Sequence, residues 1–101
     1  MLSANTLGEI IARIMVRIEK KVWPEFFDKI LSGEKKFELR LADFDCEKGD
    51  VLILREWDSE TKEYTGRRLE KKVGYVIKTK NEKFWSQEDI DKFGFQVIGF
   101  E

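Results

Sequence analysis

Val51-Leu52-Ile53-Leu54-Arg55-Glu56-Trp57-Asp58 opens with four consecutive apolar residues and then turns charged. A run without polar alternation reads as a strand buried on both faces, which belongs in the middle of a sheet or in a closed barrel. Gly49-Asp50 punctuates its start, and Arg55 to Asp58 lie where the chain leaves the core and lines a rim. The strands and helices on either side must therefore pack around this segment.

Upstream, Lys35 to Leu41 alternates, with Phe37, Leu39 and Leu41 on one face and Lys36, Glu38 and Arg40 on the other, the pattern of a half-buried strand. Before it, Val16, Ile18, Lys20 and Val22 alternate toward Trp23 and predict a first strand. Pro24 fits the first turn of a helix, and Glu25 and Asp28 complement its positive end. Phe26, Phe27, Ile30 and Leu31 give it an apolar face, and Gly33 stands where a left-handed residue stops it. Thr6 to Glu9 resembles a capping box ahead of Leu7, Ile10, Ile11, Ile14 and Met15, which predicts a short helix over residues 7–16. Residues 1–15 are read as an extension that precedes a domain over residues 16–101.

Downstream, Asp58 to Gly66 reads as a polar hairpin loop, and Arg67 to Lys80 as a long strand carrying Leu69, Val73, Tyr75 and Ile77, bent by a bulge at Gly74. Ser86-Gln87-Glu88-Asp89 caps a short helix that reaches Phe93 and ends at Gly94, with Phe84, Trp85 and Phe93 as its packing. A last strand runs from Phe95 to Phe100. The order helix-β-α-β-β-β-α-β predicts an α+β domain, a small mixed β-barrel with two to three short helices, because open edges of this length invite aggregation.

With 101 residues the chain suits one small domain, and 42% apolar residues argue for a folded core despite 39% charged ones. Histidine is absent and Cys46 is the only cysteine, so Cys/His metal sites, Cys-His nucleophiles and Ser-His-Asp triads are excluded. Any acid-base chemistry must use Lys, Glu, Asp or Tyr; no metal or cofactor is expected. Cys46 sits among Asp45, Glu47 and Lys48 as an incidental thiol, with no disulfide framework, which fits a reducing compartment. No apolar run approaches the roughly 20 residues of a membrane span, so a cytoplasmic protein is expected.

Charge is sorted along the chain. Residues 13–40 hold eight Lys/Arg against five Asp/Glu, residues 43–63 three against eight, and residues 67–83 seven against two. Opposite blocks can pair across strands, or the basic ones can form a stripe for phosphates.

Gly33-x-Lys35-x-x-Glu38-x-Arg40 resembles the G-x-K-x-x-E-x-R signature of the ASCH superfamily, whose members are PUA-like. Trp23-Pro24-Glu25-Phe26-Phe27, Lys48-Gly49-Asp50, Leu54 to Asp58 and Tyr64-Thr65-Gly66-Arg67 resemble, in register, its short DUF3850-type branch. The resemblance covers about residues 16–101. It implies a PUA-like β-barrel, a cleft lined by the signature's charges, and an RNA-related function. Members often carry a histidine near the start of the first strand, and this chain has none, so a role resting on it is lost.

Glu38 and Arg40, two residues apart on one side of a strand, lie roughly 6–7 Å apart along the backbone. The carboxylate can pose the guanidinium while Lys35, with Lys36 beside it, adds point charge, which makes a site for an anionic or hydrogen-bonding ligand. The plainer alternative is an ion-pair network that only solvates a sheet face. Arg55, Trp57, Tyr64 and Arg67 extend the candidate site, the two rings as stacking surfaces for bases unless Trp57 merely closes the core.

Three functions compete. The first is an RNA- or nucleotide-binding module, its cleft around Lys35, Glu38 and Arg40, with the basic run from Arg67 to Lys83 tracking phosphates. The second is a small hydrolase, an amidase on modified nucleosides or a ribonuclease. One branch of the superfamily hydrolyses acylated cytidines with lysine, threonine and glutamate; Lys35 and Glu56 would supply two of these, whereas Glu38 stands where that branch has threonine. The third is a protein-interaction module docking through the N-terminal helix.

Overall fold

A computed structural model of the chain describes residues 16–80 and 83–101. The helix expected over residues 7–16 lies, apart from Val16, outside the described residues. Three strands, β1 (Arg17–Val22), β2 (Val51–Asp58) and β3 (Glu63–Lys72), form one sheet in the order β1-β2-β3. β1 runs parallel to β2, from Arg17 opposite Val51 to Val22 opposite Glu56, and β3 runs antiparallel to β2. Helix α1 (Pro24–Leu31) follows β1 directly, and α2 (Gln87–Phe93) lies near the end of the chain.

The apolar run of β2 takes the central place that its lack of alternation requires. Ile53 and Leu54 are buried, and Leu54 packs with Val22, Phe27 and Ile30 in a core flanked by Leu52 and Leu69. Phe27 and Leu54 are each only 1% exposed, so α1 covers the middle of the sheet. Pro24 occupies the first turn, where its missing N–H costs nothing, and Gly33 closes the helix with φ +84, its amide bonding the Ile30 carbonyl. Phe26 and Leu31 flank the buried pair of helix residues and stay exposed.

The sheet is open and three-stranded, which corrects the expected small mixed β-barrel. Residues 35–41, 73–79 and 95–100 form no strand. Alternation marks a segment that could lie on a sheet, but a strand exists only where a second backbone supplies its ladder. Leu39 and Leu41 of the first segment and Tyr75 of the second are more than 70% exposed, so no apolar face is buried to fix a register. The amide of Val73 bonds the Asp50 carbonyl, and that of Gly49 bonds the Val73 carbonyl. Those bonds finish the β2–β3 pairing just before Val51, and among the described residues no strand pairs with Gly74 to Lys80. Segments 35–41 and 95–100 do approach each other, since a Cβ on Gly99 would lie 3.0 Å from the Phe37 ring.

The hairpin turn is shorter than expected. β3 resumes at Glu63, with the Asp58 carboxylate accepting from the amides of Glu60 and Thr61 and Lys62 taking a positive φ of 57. The bulge falls at Gly66 (φ +97) rather than at Gly74. Arg55 pairs with Arg68 and Trp57 with Tyr64, so Glu56 alone faces Thr65, Gly66 and Arg67.

Helix α2 is capped by the Ser86 hydroxyl, which accepts from the Asp89 amide, and ends at Gly94. None of its residues is buried, and Phe84, Trp85 and Phe93 are exposed rather than packed beneath it. Trp85 instead meets Phe84 and Phe95 edge to face.

Candidate functional site

The face of the sheet opposite α1 carries the site. Leu54 and Glu56 point toward the helix, so Arg55 and Trp57 point the other way, beside their ladder partners Lys21 and Tyr64. These side chains, with Arg40 reaching in from the loop after α1, open a cleft of about 390 Å³ lined by Glu19, Lys20, Lys21, Arg40, Arg55 and Tyr64. Three cations, Lys21, Arg40 and Arg55, and the Glu19 carboxylate therefore share one concavity, with Lys20, the ladder partner of Leu54, at its edge, in a chain whose net charge is −1.

Rings and cations interleave along the cleft. Trp57 and Tyr64 meet edge to face at 4.9 Å; the Lys21 ammonium lies 3.7 Å over Trp57 and the Arg55 guanidinium 3.8 Å over Tyr64. Arg55 also faces the Glu19 carboxylate at 3.7 Å, and Lys20 lies 3.6 Å over the Phe44 ring.

Lys35, Glu38 and Arg40 do come together, as a relay rather than as three ligand-facing charges. The Lys35 ammonium donates to Glu38 Oε1 at 2.7 Å and to the Phe37 carbonyl at 2.8 Å. Glu38 Oε2 accepts from Arg40 Nε at 2.9 Å, and Arg40 Nη2 donates to the Lys21 carbonyl on the open edge of β1. The side chains of Lys35 and Glu38 are 14% and 16% exposed. Of the three only Arg40 enters the cleft; Lys35 neutralises one carboxylate oxygen while the other holds the guanidinium in pose. Lys36 is exposed.

Arg67 lies on the far face. Buried Glu56 accepts from Arg67 Nε at 3.0 Å, from Arg67 Nη2 at 2.6 Å and from the Thr65 hydroxyl at 2.5 Å. Arg67 also donates to Asp28 at 2.5 Å and stacks 4.6 Å over Phe27, which ties the bulge to α1. The Arg67 hydrogen bonds hold the Glu56 carboxyl below its usual range against the opposite push of burial, with the Thr65 hydroxyl adding to the lowering. Hydrogen bonds to Glu56 and then to Asp28 push the Arg67 guanidinium further up. Lys35 is engaged by Glu38 and Glu56 by Arg67 and Thr65, so neither is posed to act on the other. The signal for this network was present in sequence as an acid inside an apolar strand and a glycine between Thr65 and Arg67, but not the pairing between them.

Among the described residues no group of three or more Cys, Asp or Glu side chains is placed to hold a metal ion, and no helix is long and apolar enough to cross a membrane.

Residues 18–90, which include β1 from Ile18 on, α1, the relay and every side chain of the cleft, match the family described as a domain of unknown function, DUF3850. The chain belongs to that family. This DUF3850 chain is also 40% identical over 55 residues to the uncharacterized 12.9 kDa protein in the GpA 3′ region of Escherichia phage P2. The aligned part is 54% of this chain and 49% of that protein, so the chain spans about half the length of the curated relative it matches. No solved structure matches it.

Proposed function

We propose that this DUF3850 domain is an ASCH-like, PUA-related module that binds RNA or a nucleotide in the cleft between β1, β2 and the loop after α1. One observation carries the reading: Lys21, Arg40 and Arg55 converge on a single concavity walled by Tyr64 and edged by Glu19 and Lys20, in a chain of near-zero net charge. Phosphates call for such a focused positive field, and bases call for a ring or guanidinium plane. The relay supports the same reading, because Glu38 holds Arg40 through Nε and the Lys21 carbonyl takes one Nη2 donor, which leaves the Nη1 donors for an incoming oxyanion.

Titration of a labelled single-stranded RNA by fluorescence anisotropy across a range of salt tests this. Three phosphate contacts give a slope of log K against log salt of about −2.1, at roughly −0.7 per contact for single strands. Replacing Lys35 and Arg40 together by Ala weakens binding at least tenfold and flattens the slope. Weak binding that ignores salt and is unchanged in the double variant removes the reading.

A further inference from the structure

We infer, resting on the nucleic-acid reading above, that the cleft takes one unpaired nucleotide of a single strand, its phosphate on Arg40 and Lys21 and its base against the Arg55–Tyr64 stack.

Size comes first. A cleft of about 390 Å³ lies at the small end of ligand sites and suits one nucleotide unit rather than a length of double helix. A base offers its flat face to a protein only when it is unpaired and unstacked. The cleft presents a matching surface: a guanidinium lying 3.8 Å over a tyrosine ring that is itself 41% exposed, so ring and guanidinium are both within reach of the cleft.

The arginines around the sheet do not extend the cleft into a track for a duplex. Double-stranded RNA is held by basic groups that track phosphates across successive grooves. The arginines that would begin such a track are already matched: Arg67 to Glu56 and Asp28, and Arg17 and Arg68 to Glu70. Those ion pairs take the two arginines out of the stripe that the sequence places after Arg67, and its exposed lysines Lys71, Lys72, Lys78 and Lys80 lie outside the lining of the cleft. The cationic cleft is thus a local site beside an aromatic platform, which is the arrangement single strands use.

The test compares three probes on the full chain by anisotropy and competition: a labelled short oligouridylate, a blunt RNA duplex of the same length, and uridine monophosphate. The oligouridylate is expected to bind at least tenfold more tightly than either. Loss of a stacking base contact costs roughly five- to hundredfold in affinity, so Tyr64→Ala weakens oligouridylate binding in that range, Tyr64→Phe retains it, and neither moves duplex binding. Arg55→Ala gives a second readout should Tyr64→Ala disturb the hairpin, with circular dichroism reporting the fold of each variant. Equal binding of duplex and single strand, or a Tyr64→Ala variant that binds as the parent does, overturns the inference and leaves the broader nucleic-acid reading standing. Monophosphate binding as tight as the oligonucleotide overturns it in favour of a free-nucleotide site. Failure of all three probes to bind removes both.

Discussion

Replacing Glu56 by Gln keeps the shape of a side chain that is 6% exposed and removes the charge on which three hydrogen bonds converge. The amide nitrogen that replaces one carboxylate oxygen then faces a donor, either Arg67 or Thr65. The donor left facing the amide nitrogen loses its bond, which costs about 1–3 kcal/mol, and the remaining bonds weaken as their acceptor loses its charge, so the three together would lose about 3 kcal/mol. The Arg67 side chain is 45% exposed and can turn to water, which brings the expected loss for Glu56→Gln to about 2 kcal/mol. Urea unfolding at neutral pH, followed by tryptophan fluorescence, reads this as a midpoint lowered by about 1–2 M at unchanged slope. Acid adds a second signature. Because the folded-state pKa of Glu56 lies below its ordinary 4.5, its contribution is complete above that value and is lost as the pH falls through the folded value. Glu70 is lowered in the same direction, chiefly by its hydrogen bond from Arg17, so the variant should show a reduced acid dependence rather than none. A loss under about 0.5 kcal/mol, or an acid dependence equal to the parent's, would refute the assignment of Glu56 as the ionised anchor between the bulge and α1.

Phe27→Ala removes a ring that is 1% exposed and should cost about 3–4 kcal/mol by urea unfolding; a loss below about 1.5 kcal/mol would mean that α1 does not seal the sheet. Gly33→Ala meets no atom within 4 Å, so its cost should be the left-handed backbone alone, about 1 kcal/mol in thermal unfolding, and a larger loss would point to a contact not accounted for. Gly99→Ala brings a Cβ 3.0 Å from Phe37 Cδ1, where the ring, 37% exposed, can turn aside. Its expected effect is a shift of the Phe37 ring resonances with under about 0.5 kcal/mol of stability change, and unmoved resonances would separate the two segments.

Local chemistry made much of the fold legible. Pro24 and Gly33 bound a helix because one fixes φ at its start and the other adopts φ +84 at its end, and neither depends on a distant partner. Ser86 and Gly94 bracket α2 for the same reason. The unbroken apolar run at Val51 marked the central strand because only burial on both faces accommodates it. The signature around Gly33 likewise placed Glu38 within reach of Arg40, a contact between near neighbours in sequence.

Other features depend on which distant segment arrives. Alternation at Lys35 to Leu41 and the apolar residues of Phe95 to Phe100 specify a face but not a ladder, and no strand forms there. Lys35 and Arg67 carry equal weight as cations in a list of residues. In the fold Lys35 is folded back on Glu38 and the Phe37 carbonyl, while Arg67 is drawn to the opposite face by Glu56 and Asp28. Sequence by itself determined which side chains carry charge and where helices start and stop, because those are properties of short stretches of backbone. Tertiary structure alone decided which charges line the cleft. An ion pair forms only when packing brings its second partner close, and here packing drew Lys35 and Arg67 away from the cleft, while Arg40, held by Glu38, and Arg55, 3.7 Å from Glu19, stay in its lining with Lys20 and Lys21.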